Sequence, residues 1–153
     1  MKPSTMYAEA TVAPVIESPP AGANTVNDML LQSWGGVVRV FPAVPAAWAD
    51  VTVHNVRAQG AFLVSARRTG GVTQFVRVVS LAGQPCLLRT DLTGTLTARS
   101  GTGRTVGVTR VDAQTVRVDV RTGEEVVLFP AGTSPALTIA PVASGAPFRW
   151  GLP

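Results

Sequence analysis

From Val37 onward the apolar residues of this chain recur at every second position in short runs, and that period restricts the fold more than any other feature. A strand alternates its side chains between two faces, whereas a helix returns to the same face after roughly 3.6 residues. The clearest run is Thr115 to Arg121: Val116, Val118 and Val120 face one way and Arg117, Asp119 and Arg121 the other. Its neighbour Val106 to Val111 reaches it through Asp112-Ala113-Gln114, a connection of hairpin length. The same reading predicts strands at Val37 to Phe41, Val51 to Arg57, Ala61 to Arg67, Thr73 to Leu81, Cys86 to Thr90, Leu96 to Ser100, Thr105 to Arg110, Glu125 to Phe129 and Ala136 to Ala140. Turn signals such as Arg68-Thr-Gly-Gly71 and Leu81-Ala-Gly-Gln84 separate them. Short strands at this spacing predict an all-β fold, an antiparallel β-sandwich.

Before Val37 the pattern differs. Residues 1–20 form an irregular leader that ends in Ser18-Pro19-Pro20, a helix-start signal, and Ala21 to Trp34 then reads as one N-terminal α-helix stopped by Gly35-Gly36. Ala23, Val26, Met29, Leu30 and Ser33 make its apolar stripe, with Asn24, Asp28 and Gln32 opposite. Leu31 falls on that polar side, so the helix is expected to meet more than one neighbour. The chain divides into a leader and helix, 1–36, and a sandwich, 37–153. At the far end, Phe148 and Trp150 are expected to pack back on the body.

Composition excludes several functions. The 153 residues allow one domain with its own core, and 46% hydrophobic against 14% charged residues is a globular balance. Apolar runs such as Val126 to Phe129 are far short of the roughly 20 residues a membrane-crossing helix needs. No secretion signal is read in Met1 to Ala10, and location in the cell stays open between cytoplasm and secretion within a longer protein. The net charge of +4 is spread: all thirteen bases except Lys2 are arginines, and only Arg67 and Arg68 adjoin. Nucleic-acid binders concentrate bases on a stripe, so solvated strand faces are the reading here.

The sole cysteine, Cys86, excludes an internal disulfide and sits in an apolar run as a small hydrophobe. The sole histidine, His54, lies within a strand pattern and cannot make up a zinc set with Cys86. No Gly-x-Ser-x-Gly turn accompanies it, and Gly101-Thr102-Gly103 reads as a hairpin loop rather than a phosphate cradle. No metal and no cofactor is therefore expected. Asp91, Asp112, Asp119, Glu124 and Glu125 fall at turns or outward positions, where solvation accounts for them.

The stretch Asp28-Met-Leu-Leu-Gln-Ser-Trp-Gly-Gly-Val-Val-Arg-Val-Phe-Pro-Ala-Val-Pro-Ala-Ala-Trp-Ala-Asp50, with Arg57-Ala-Gln-Gly-Ala-Phe-Leu-Val64, resembles the C-terminal part of glycoside hydrolase family 95, the inverting α-L-fucosidases. The resemblance covers residues 15–90 and fades beyond. It implies that the helix is the last of an (α/α)6 catalytic barrel and that the rest is the terminal sandwich. Ile16-Glu17-Ser18-Pro19 then stands where the family has an Ile-Asp-Gly-Asn-like turn, making Glu17 the candidate general base. Glutamate replaces aspartate there, and the glycine and asparagine are missing. Inversion needs a second carboxylic acid roughly 6.5–9.5 Å away, which the family keeps in the barrel. The implied partners are a catalytic barrel, as domain or separate chain, and a fucosylated oligosaccharide, with the isolated chain inactive.

Trp34, Trp48 and Trp150 are candidate carbohydrate-binding residues, since a pyranose presents C–H groups to an aromatic plane. A carbohydrate-binding module is thus the alternative function. For Trp48, in the turn after Pro42-Ala-Val-Pro45, packing is the favoured role; for Trp150 both stay open. A weak homodimer is also expected, through Leu31 and the Tyr7 to Ile16 leader as exposed apolar surface.

Overall fold

Alternation along the strands becomes two five-stranded sheets with one apolar layer between them. The computed structural model describes residues 8–9, 13–14 and 17–141. In chain order the elements are β1 (Ala8–Glu9), β2 (Ala13–Pro14), α1 (Ser18–Leu30), β3 (Leu31–Gln32), β4 (Val37–Val40), β5 (Val51–Ala58) and β6 (Phe62–Thr69). They continue as β7 (Val72–Ser80), β8 (Cys86–Arg89), β9 (Leu96–Ser100), β10 (Val108–Arg110), β11 (Thr115–Val118) and β12 (Glu125–Pro130). One sheet runs β10-β11-β8-β4-β3 and the other β5-β6-β7-β12-β9. Every pairing within them is antiparallel except β4 with β8, which is parallel. The fold is the expected β-sandwich with a single helix among the described residues.

The shared core draws Val38, Val40, Cys86, Leu88, Val116 and Val118 from the first sheet. The second contributes Val53, Phe62, Val64, Ala66, Val76, Val78, Val126 and Leu128. Val116, Val118 and Val120 are all buried, as their spacing predicts, while Arg117 and Arg121 are exposed. Local turn chemistry sets the registers. Thr69 pairs with Val72 across Gly70-Gly71, both at positive φ, the geometry of a two-residue turn matched to strand twist. Asp112 Oδ1 accepts the amides of Gln114 and Thr115, each at 2.8 Å, and closes the β10–β11 hairpin.

Several expectations change. The helix ends at Leu30 rather than Trp34 because Leu31 is extended (φ −149°, ψ 130°) and pairs with Val40. Leu31 is therefore a core residue and leaves the exposed patch expected of it. The helix also begins earlier than expected, at Ser18, with Glu17 in the N-cap position. The run Thr105 to Arg110 becomes a ladder only at Val108, because residues before it carry the chain from one sheet to the other. Ala136 to Ala140 is no strand. Both neighbours of β12 are already taken, by β7 and β9, so this segment crosses the outer face of that sheet as a strap. There Leu137 and Ile139 pack on Phe75, Val127 and Phe129, and the carbonyls of Leu137 and Ala140 accept from Arg77 and Thr52 side chains at 3.0 and 3.3 Å.

Leu88 is fully buried at the centre of the shared core. Leu88→Ala is expected to cost about 2–5 kcal/mol in urea unfolding through lost transfer energy and the cavity left behind. Val111→Ser, at a position 58% exposed, should stay within about 0.5 kcal/mol of the parent.

Candidate functional site

The candidate groups fall in three places. Glu17 stands at the N-terminal flank of α1, exposed, with its carbonyl accepting the Ala21 amide at 2.9 Å. Trp34 lies in the turn between β3 and β4, 61% exposed. Arg39 lies over its ring at 3.8 Å, and its indole Nε1–H donates to Gln32 Oε1 at 3.2 Å. One ring face and the donor of Trp34 are thus already in use. Trp48 is 40% exposed in the loop before β5. It lines a cleft away from Trp34, together with Asp50, Thr52 and His54. Trp150 lies outside the described residues.

His54 is held by a bulge. The β5–β6 register shifts between Val53 and Val56, and Asn55 takes φ 52°, so His54 and Asn55 both face outward. Ser65 Oγ, buried, donates to Asn55 Oδ1 at 3.2 Å and accepts the Asn55 amide at 2.9 Å. It also lies 3.5 Å from His54 Nδ1. The hydroxyl is thus occupied in fixing the bulge and has no exposure from which to attack a substrate. Among the described residues no group of His, Cys, Asp and Glu is placed to hold a metal ion. Burial pushes the Cys86 thiol up to about 12, which leaves it un-ionised and unreactive at neutral pH.

The acid that differs most from its expected role is Glu124. Read from sequence as a solvated turn residue, it is only 4% exposed. Its Oε1 accepts from Ser100 Oγ at 2.6 Å and Arg104 Nε at 3.0 Å. Its Oε2 accepts from Arg104 at 2.7 Å and from the Arg121 amide at 2.8 Å. Chiefly through Arg104, these contacts hold the carboxyl well below its ordinary 4.5, at about 2. With all its acceptor positions filled, Glu124 is a structural carboxylate. Nothing local in the sequence marks it, because Arg104 and Ser100 lie about twenty residues away.

The model of the glycoside hydrolase family 95 C-terminal domain matches residues 32–128. The chain belongs to this family. The family 95 match starts within β3 and ends within β12, so it contains Trp34, Trp48 and the Glu124 cluster. It runs well past residue 90, where the motif resemblance fades. Glu17, the whole of α1 and the strap lie outside it. No curated protein matches the chain.

Glu124 yields a pH prediction. Its folded pKa is depressed, so its contribution to stability is complete above about 4.5 and is lost as pH falls toward about 2. Glu124→Gln, which leaves Arg104 facing a neutral amide, is expected to cost about 3 kcal/mol at pH 7. Urea titrations should show that difference shrinking below pH 4.5 and nearly gone at pH 2.

Proposed function

We propose that this chain is the terminal accessory sandwich of a family 95 α-L-fucosidase, that its role is structural, and that α1 is the surface on which the catalytic barrel rests. The observation that carries this reading is a helix with little to cover it. From Pro20 to Asp28 every residue but Gly22 is exposed, Val26 by 43%. The body holds α1 by its end: the Met29 and Leu30 carbonyls accept the Ala43 and Phe41 amides at 3.3 and 2.8 Å, and Leu30 packs on the core. A helix of 13 residues is marginal in water without tertiary packing. An added module covering this face would supply that packing.

On this reading Glu17 sits at the seam between the two modules. Its carboxylate would activate water for attack on the fucosyl carbon, while an acid from the barrel protonates the leaving oxygen. The two must stand roughly 6.5–9.5 Å apart for inversion. The fucosylated oligosaccharide is then the substrate of the assembled enzyme, and the isolated chain lacks half of the acid–base pair.

The purified chain is expected to release no phenol from an aryl α-L-fucoside. Within a longer protein that includes the barrel, Glu17→Gln should lower kcat by roughly 10²-fold or more. Turnover by the isolated chain that disappears in Glu17→Gln would overturn the accessory role.

Hydrogen exchange tests the docking face. In the isolated chain the amides of α1 should exchange far faster than those of β7 and β12, and slow when the barrel is present. If a second copy covers α1 instead, light scattering will show concentration-dependent mass that Val26→Asp abolishes.

A further inference from the structure

We propose that the cleft beside edge strand β5 binds a neutral pyranose sugar, with Trp48 as its stacking platform and Asp50 and His54 at its polar rim. This goes beyond the accessory role and does not rest on the parent enzyme's being a fucosidase. The cleft has a volume of about 430 Å³ and lies between the end of α1, the loop before β5, the strand and the strap. That falls within the roughly 300–1,000 Å³ typical of small-molecule sites. Leu30 and Ile139 contribute its apolar wall, and Asp50, Thr52 and His54 its polar groups.

A pyranose needs two things from a protein: an aromatic surface for its C–H face, and fixed acceptors and donors for its hydroxyl rim. The described tryptophans differ in the first respect. Trp34 already stacks with Arg39 and has given its N–H to Gln32. Among the described residues Trp48 has no ring-stacked cation and no partner for its indole nitrogen, and it is exposed where it lines the cleft. The rim groups are fixed in place. Asp50 Oδ1 accepts the Gly70 amide at 2.8 Å, which orients the carboxylate and leaves Oδ2 to accept from a hydroxyl. The bulge at Asn55 turns His54 outward, and its ring lies between Ser65 Oγ and Asn55 Nδ2 at 3.5 and 3.4 Å. Held groups lose little freedom on binding, which is where a weak sugar site gains most.

Charge selects a neutral ring. The chain carries +4 overall, yet no arginine lines this cleft. Arg67 and Arg68 line an adjoining cavity that meets this cleft at Asp50, Thr52, Ala140 and Pro141, and Arg68 is paired there with Asp91 at 3.0 Å. Within the cleft itself an anionic sugar would meet the Asp50 carboxylate, with no guanidinium among the lining residues.

The test is an NMR titration of the full chain, following its three indole N–H signals with methyl α-L-fucopyranoside, methyl β-D-galactopyranoside, methyl β-D-glucopyranoside and methyl β-D-glucuronide. A ligand of this size supports a roughly millimolar Kd. At least one neutral glycoside should shift the Trp48 signal to saturation. His54→Ala should weaken that binding at least about threefold, and Trp34→Ala should leave it unchanged, because the latter ring stands outside the cleft. Trp48→Ala should abolish saturable shifts of the His54 ring signals, and Trp48→Phe, which keeps a smaller platform, covers the case in which the alanine variant fails to fold. Three results would each overturn the proposal: no saturable shift at Trp48 with any neutral glycoside, binding unchanged in a folded Trp48→Ala or Trp48→Phe chain, or saturation by the glucuronide alone.

Discussion

A carboxylate removed from water must be paired and hydrogen-bonded or it destabilises whatever encloses it, and in this molecule the architecture closes around that requirement at Glu124. Three connections carry the chain between the sheets near this residue: β7 to β8, β9 to β10 and β11 to β12. Ser100, the last residue of β9, opens the second and Arg104 lies within it, and Arg121 and Glu124 itself belong to the third. The first joins through the backbone, where the Ser80 amide donates to the Glu124 carbonyl at 3.0 Å and Gly123 donates back to Ser80 at 2.7 Å. Gly83, at φ +80°, closes the same corner; a Cβ there would collide with Thr122. Apolar burial is non-directional and would bring the sheets together in many registers. The directed bonds of one carboxylate fix where the crossings meet.

The sandwich consequently has two unlike ends. In the second sheet, β7 ends and β12 begins at the Glu124 corner, while β5 and β7 begin and β6 ends at the other end, near Asp50 and Gly70. The Trp48 cleft is built on that second end, from a loop, an edge strand, a helix end and a strap. Binding groups supplied by connecting segments over a rigid sheet combine precision with access. The edge of β5 also carries the bulge that aims His54, a common device for redirecting a side chain where a ladder can afford interruption.

The family 95 match and the physical unit coincide closely. Residues 32–128 include nearly the whole two-sheet core and the Glu124 cluster, and leave out all of α1. The helix is attached through backbone bonds at its last turn and through Leu30 and Leu31, so it projects from the sandwich as an exposed appendage.

Much of the fold was legible because strand periodicity is local. Val116, Val118 and Val120 face inward as their spacing requires, and Gly70-Gly71 makes its turn. The family motif, carried by residues such as Gln32, Trp34, Trp48 and Arg57, was legible for the same reason. Other outcomes depended on distant partners. Leu31 belongs by local pattern to a helix, and only pairing with Val40 makes it a core strand residue. Ala136 to Ala140 alternates as a strand does, yet the places beside β12 were filled, so the same alternation serves a strap. Glu124 looks like any acid at a turn until the fold delivers Arg104 and Ser100 to it. Sequence thus determined the sandwich, most of its strands and the family, since those follow from neighbours a few residues apart. Tertiary structure alone decided which carboxylate is buried, which of the two described tryptophans carries a stacked arginine and where the helix stops, because each depends on groups that meet only after the sheets have closed.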